Sequence, residues 1–202
     1  MDTALTIAGF DPSSGAGVTA DLMVFAANGL FGISCLTAIT VQSTTGVRST
    51  HPVFPEIVRA TIQCLDADLP PAGIKIGMLA NADNIHVISD YLEKLHLHYL
   101  YSASPAASVG QGASPPRRPP IPVVLDPILR SSSGRELIDS AGFIALRERL
   151  LPLVDWVTPN LSEIAALTGI PIVSRDDLPR ASRALQAQVS RWHAGHPIGI
   201  FA

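Results

Sequence analysis

The sequence predicts an α/β chain built on a central, mostly parallel sheet flanked by helices on both faces. Short apolar runs rich in β-branched residues alternate with amphipathic stretches along the chain, the pattern of strand–helix–strand units. Runs such as T-A-L-T-I-A and I-P-V-V-L are largely apolar instead of alternating with polar residues, which suits strands covered on both sides. Loops rich in Gly, Ser and Pro follow several of these runs, at the carboxyl edge where open parallel sheets hold their ligands.

Residues 3–8 form the first strand and 9–17 a Gly/Ser/Pro loop; a helix over about 16–28 stops at Asn28-Gly29, a common helix ending. Residues 32–42 (GISCLTAITVQ) read as the second strand, and Pro55 to Asp68 as a helix with proline at its start. Strand 73–78, helix 81–95, strand 121–125, helix 140–150, a short strand near 153–157, helix 160–168, helix 176–192 and a last strand near 197–201 complete the pattern. Residues 102–120 (SASPAASVGQGASPPRRPP) break it. Such a segment buries too little apolar surface to offset its ordering entropy, so it reads as a flexible surface insertion with Arg117-Arg118 solvated. No internal repeat is visible, and 202 residues suit one domain better than two.

Composition excludes several classes. Hydrophobic residues make up 47% and charged residues 15%, so the chain is not a long disordered one. A net charge of -3 supplies no global basic field for nucleic acid. The N-terminus has no cationic start followed by a long apolar run, and no segment has the length and apolarity of a membrane span; the expected location is the cytoplasm. Cys35 and Cys64 lie in apolar stretches and read as two buried free thiols. The six histidines fall into no zinc pattern.

Five segments could carry chemistry. In A-G-F-D-P-S-S-G-A-G (8–17), Gly9, Gly15 and Gly17 allow close backbone approach, and Asp11 and Asp21 add carboxylates near the strand end. The segment is neither a P-loop nor a dinucleotide fingerprint, and a structural turn and a ligand loop both remain open, with Asp11 also readable as a turn or cap residue. Gln42, in T-V-Q-S-T-T-G, could donate to a ring nitrogen and accept from an exocyclic amine at once, or lie at the surface. Met78, in K-I-G-M-L, could cover a flat ring or simply pack in the core; Lys75 beside it is either paired in the sheet or aimed at a rim. V-V-L-D-P delivers Asp126 to a strand end, suited to holding Mg²⁺ or orienting phosphate through water, and S-S-S-G (131–134) could form a flap. In T-P-N-L-S-E, Asn160 and Glu163 read as a capping box or as a Mg²⁺–phosphate relay.

Together, A-G-x-D-P-S-S-G-A-G…A-D, T-A-x-T-V-Q-S-T, K-I-G-M-L, V-x-D-P and T-P-N-L-x-E resemble the hydroxymethylpyrimidine/phosphomethylpyrimidine kinase family over nearly the whole chain outside 102–120. The resemblance implies a ribokinase-like fold and ATP-dependent phosphorylation of 4-amino-5-hydroxymethyl-2-methylpyrimidine and then of its monophosphate, in thiamine biosynthesis. It implies that Gln42 hydrogen-bonds the aminopyrimidine, and that Gly9, Asp21 and Met78 line the same pocket. It further implies that Asp126 serves the Mg²⁺–phosphate region, with Glu163 also holding the ion through water, and that Asn160 and Glu163 form the N-x-x-E element of ribokinase-like enzymes. Relatives on this fold are often homodimers.

The family's Gly-Thr-Gly-Cys element, whose backbone amides form an anion hole and whose Cys is the proposed base, does not occur up to Ala202. The expectation is therefore a single kinase domain over 1–202 that is incomplete at its C-terminus. Two alternatives stand beside the kinase: a non-catalytic pyrimidine-binding homologue, and a pyridoxine- or pyridoxal-type kinase on the same fold.

Overall fold

The structure, a computed structural model, describes residues 1–103, 121–131, 133–189 and 198–202. Among the described residues, seven strands form one sheet in the order β3-β2-β1-β4-β5-β6-β7. They are β1 (Thr3–Phe10), β2 (Phe31–Ser43), β3 (Gly46–Pro52), β4 (Gly73–Ile76), β5 (Val123–Leu125), β6 (Trp156–Val157) and β7 (Gly199–Ile200). All neighbours are parallel except β2 and β3, which form an antiparallel hairpin at one edge. The helices are α1 (Gly17–Ala27), α2 (Pro55–Asp68), α3 (Ala82–Ala103), α4 (Ser140–Ala145), α5 (Leu161–Thr168) and α6 (Leu178–Val189).

The sequence expectations hold for most elements, with four differences. β3 was not foreseen: G-V-R-S-T-H-P offers no apolar alternation, and the strand exists because the preceding turn folds it back onto β2. Helix 140–150 is α-helical only to Ala145 and continues as a π-type turn (Leu146–Leu150) and a 3-10 turn (Leu151–Leu153) that contains Pro152. Helix α3 runs on to Ala103, past the expected end at 95 and into the expected insertion; the rest of that insertion, 104–120, lies outside the described residues, as does the end of the expected helix 176–192. Cys64 is exposed, whereas only Cys35 is buried. On α2 the core-facing positions are Val58 and Ile62, one turn apart, and Cys64, two residues past Ile62, points away from them.

One core fills the space between one sheet face and helices α2 to α6. Leu5, Ile7, Ile74, Ile76 and Leu125 from the strands meet Val58, Ile62, Ile88, Leu92, Ile164 and Leu185 from the helices. Burial pushes the Cys35 thiol up to about 12, and the thiol donates weakly to the Val58 carbonyl at 3.7 Å. On the other face, Thr6, Lys75, Val124 and Trp156 stand in register across four strands. Asp21 of α1 receives hydrogen bonds from Thr6 and Lys75. Among the described residues α1 alone covers this face, and Trp156, 41% exposed, stacks on Phe201 with centroids 5.2 Å apart.

The order of strands locates the site. The chain leaves β1 toward β2 on one side and enters β4 on the other, so the loops after β1 and β4 diverge and open a crevice at their carboxyl ends.

Candidate functional site

A cavity of about 760 Å³ occupies that crevice and extends along the carboxyl edge of the sheet. One wall comes from β1, β2 and the segment after β4, and includes Gly9, Thr40, Gln42 and Met78. The opposite wall comes from the ends of β5 and β6 and the start of α5, and includes Asp126, Thr158, Asn160 and Glu163. The loop before α1 and the β2–β3 hairpin complete the rim.

The first wall is formed by neutral side chains, with the carboxylate of Asp11 in the adjoining rim loop. Gly17 has φ +62, and a Cβ there would lie 2.2 Å from the Gly9 carbonyl oxygen, so only glycine lets the loop fold back against the β1 end. Met78 Sδ lies over Gly9, where an added Cβ would meet it at 3.1 Å. Met78 is 6% exposed and belongs to a small apolar cluster with Ala38, Ala80 and Leu137. It is therefore both packed and part of the cavity lining, so the two sequence readings describe one residue. A register shift between Val41 and Gln42 re-aims the strand end as bulges do. Thr40 Oγ1 donates to the Phe10 carbonyl at 2.8 Å and lies 3.2 Å from Gln42 Oε1. A hydroxyl has one proton, and the shorter contact takes it, so the Gln42 amide stays available to a ligand.

The second wall is acidic. Asp126 follows β5 directly, and its N–H donates to the Ile76 carbonyl at 2.8 Å. Burial is the main cause that raises its carboxyl above the ordinary range; nearby Lys75 opposes the rise and Asp21 adds to it. Glu163 is 5% exposed. Burial again raises its carboxyl most, opposed by the Asn160 backbone N–H and reinforced by the negative charge of Asp126. The capping box is formed: Asn160 Oδ1 accepts from the Ser162 and Glu163 N–H groups at 3.0 Å, and the Asn160 N–H donates to Glu163 Oε2 at 2.8 Å. The cap uses Asn160 Oδ1 and leaves its NH₂ group outside the box. Capping thus orients both side chains without excluding a second role.

Of the seven residues singled out as site residues, six line the cavity: Gly9, Gln42, Met78, Asp126, Asn160 and Glu163. Asp21 does not. Its carboxylate accepts from Thr6 Oγ1 at 2.6 Å and from Lys75 Nζ at 2.9 Å, because the fifth residue of α1 faces the sheet and not the loop that precedes the helix. The same contact resolves Lys75, whose ammonium is paired with a carboxylate of α1.

Asp11 and several residues without a sequence signal also line the cavity. Asp11 is 4% exposed, and its Oδ1 accepts from the Ser13 N–H and hydroxyl, the turn role foreseen for it. Thr40, Ile128, Leu137 and Thr158 join the wall only through the fold. Arg130, also at the wall, pairs with Glu136 at 3.1 Å. Ser132 of the expected flap lies outside the described residues; beside it, Arg135 Nη1 donates to the Arg48 carbonyl of β3 at 2.6 Å.

No group of three or more His, Cys, Asp and Glu side chains that could hold a metal occurs among the described residues. The charge of Asp126 nevertheless opposes the ionisation of Glu163, and two neighbouring carboxylates suit a Mg²⁺ ion that keeps most of its waters and binds phosphate oxygens.

The family profile described as phosphomethylpyrimidine kinase matches residues 11–111 and 113–193. The chain is 38% identical over 184 residues to a hydroxymethylpyrimidine/phosphomethylpyrimidine kinase of Haemophilus influenzae, covering 91% of this chain and 60% of that protein. It is 33% identical over 202 residues to the protein of the same name from Aquifex aeolicus, covering 98% and 70%. It therefore spans between three-fifths and seven-tenths of the length of these two relatives. A crystal structure of phosphomethylpyrimidine kinase from Clostridium difficile superposes with a TM-score of 0.76 at 33% identity, covering 93% of this chain and 71% of that one. A Staphylococcus aureus pyridoxal kinase in complex with pyridoxal superposes at 0.71 with 26% identity, covering 93% and 60%. The mostly parallel sheet foreseen from the sequence is the ribokinase-like one of these kinases.

Proposed function

The chain belongs to the phosphomethylpyrimidine kinase family, and from that premise we propose that its cavity binds 4-amino-5-hydroxymethyl-2-methylpyrimidine, or its monophosphate, together with ATP for phosphoryl transfer in thiamine biosynthesis. The observation that carries this reading is the division of one cavity into a neutral wall with a free amide and an acidic wall at two strand ends.

The neutral wall fits a flat, uncharged heterocycle. The Gln42 amide offers a donor and an acceptor side by side, the complement of a ring nitrogen next to an exocyclic amine. The missing side chain of Gly9 leaves room for the Met78 sulfur, and that thioether supplies a polarizable cover for the ring. Asp21 acts at one remove in this reading: it anchors α1 to the sheet through Thr6 and Lys75.

The acidic wall fits the triphosphate. Asp126 and Glu163 would hold a Mg²⁺ ion, in the main through its waters, and the ion when bound would neutralise phosphate charge. The Asn160 NH₂ group, which the cap does not use, would donate to a phosphate oxygen. A primary alcohol is a weak nucleophile, so its alignment with the γ-phosphate is the protein's main contribution. The two walls hold ring and phosphates at a fixed separation and so impose that alignment.

Residues 1–202 are proposed to act as one domain, since a single sheet supplies both walls. Two unpaired thiols suit the reducing cytoplasm, where ATP is also available. A homodimer is compatible with this reading, and light scattering decides it.

A pyridoxal-type kinase is the second reading, favoured by structural neighbours that carry that name. The test offers ATP and Mg²⁺ with the pyrimidine alcohol, its monophosphate, or pyridoxal, and measures ADP release beside calorimetric binding. The main reading expects the two pyrimidines to be bound and phosphorylated. Turnover of pyridoxal alone would establish the second reading, and pyrimidine binding without turnover would make the chain a binding module.

A further inference from the structure

Met78 on the neutral wall has a flexible side chain with three rotatable bonds, yet the backbone that carries it is held with unusual redundancy. Thr37 Oγ1 of β2 donates to the Met78 carbonyl. Asn84 Nδ2 of α3 donates to the Thr37 carbonyl at 3.0 Å and to the Leu79 carbonyl at 3.3 Å. The Asn81 N–H donates to the same Leu79 oxygen at 3.0 Å. The turn then passes through Ala80 at φ +72, a conformation a non-glycine residue adopts only when its surroundings impose it.

Thr37 and Asn84 are both 0% exposed, and neither lines the cavity. Burying polar groups is costly unless each is bonded, and the knot is not even fully satisfied: Asn84 Oδ1 is buried with no partner. Apolar residues of similar size would fill the same space without that penalty. What they could not do is fix two consecutive carbonyls, those of Met78 and Leu79, against both β2 and α3. Buried polar networks of this kind select one arrangement of the backbone among several that packing alone would allow.

We infer that Thr37 and Asn84 are positioning residues that hold Met78 in the one placement that covers the ring, and that they set ring selectivity without touching the ligand. The inference rests on the proposed pyrimidine reading for its ligand and on the hydrogen-bond knot for its mechanism. Thr37 anchors the Met78 peptide, Asn84 locks Thr37 and the following peptide together, and the side chain is left with its sulfur over Gly9.

The test uses methyl-¹³C methionine. The chain has three methionines; Met1 and Met23 are 89% and 56% exposed, so the Met78 methyl is the one expected away from the solvent-averaged position. Thr37→Val removes the hydroxyl at nearly constant volume, and Thr37→Ser keeps it. In the ligand-free Thr37→Val protein the Met78 signal should move toward the averaged position, while in Thr37→Ser it should stay where it is in the wild type. The calorimetric Kd for the pyrimidine alcohol should rise about tenfold in the first and less than about twofold in the second, and the preference over pyridoxal should shrink only in the first. Should Thr37→Val fail to fold, Asn84→Ser, which withdraws the amide from Leu79, is read in the same way. An unmoved Met78 signal in the valine variant, or equal losses in both Thr37 variants, overturns the inference. A wild-type Met78 signal that ignores added pyrimidine refutes the pyrimidine reading instead, and the ligand-free spectra still decide the anchoring.

Discussion

The two walls of the cavity are built in opposite ways. The neutral wall stands on long strands, eight residues in β1 and thirteen in β2, and its side chains are held from behind by buried neutral groups such as Thr37 and Asn84. The acidic wall stands on strands of three and two residues, and its side chains are held by a helix cap and by charge. The difference teaches where rigidity and strain reside. Reading a flat ring demands shape, which long strands and packing supply. Managing phosphate demands charge, and burying that charge works against the fold.

The largest expected effect breaks the walls apart. Asp126→Asn should lower Mg²⁺-dependent phosphoryl transfer by about a hundredfold or more while pyrimidine binding stays within about twofold, as read by ADP release and calorimetry. An equal loss in both would mean that the walls do not divide the labour. The same variant carries a stability signature. The Asp126 carboxyl is raised in the folded state, so its contribution to stability is fully present below the ordinary carboxylate range and is lost as pH rises through the raised value. Without divalent cations, Asp126→Asn should therefore melt higher than the wild type at neutral pH, with the advantage vanishing in acid.

Next in size, Gln42→Ala should weaken pyrimidine binding by about 1–3 kcal/mol, the cost of leaving a ligand's polar edge unpaired, with no rise in melting temperature near neutrality. Unchanged affinity would remove Gln42 from the ring-reading wall. The capping box gives a finer contrast. Asn160→Ala should cost about 1 kcal/mol of stability, measured by urea unfolding. Glu163→Gln keeps an acceptor for the Asn160 N–H and should cost little stability while still impairing transfer. The smallest effect belongs to Ala80→Gly, which relieves the positive φ and should change stability by no more than about 1 kcal/mol.

Much of this organisation was legible in the sequence because strand ends are legible. Apolar runs that stop at Gln42, Met78, Asp126 or Pro159-Asn160 place those residues on one edge of a parallel sheet, and the cavity gathers them there. What remained hidden follows from contacts rather than periods. Asp21 stood in the right motif, but helix phase turns it toward Lys75, and no period of the loop reveals that. Cys64 lies in an apolar stretch yet faces solvent, because Val58 and Ile62 fix the phase of α2. Strand β3 pairs with β2 through its backbone and packs only Val47 against the Met78 cluster, and its mostly polar side chains advertise nothing. The Thr37–Asn84 knot links residues 47 positions apart, beyond the reach of any local pattern.

The unequal environments of the two cysteines give a practical handle. A thiol-directed dye should label the native chain once, at Cys64, because the other sulfur is sealed between β2 and α2 and deprotonates only in strong base. In denaturant the stoichiometry should rise to two. Counting labels by mass spectrometry thus reports whether the interior is closed, without substrate, nucleotide or any assay of turnover.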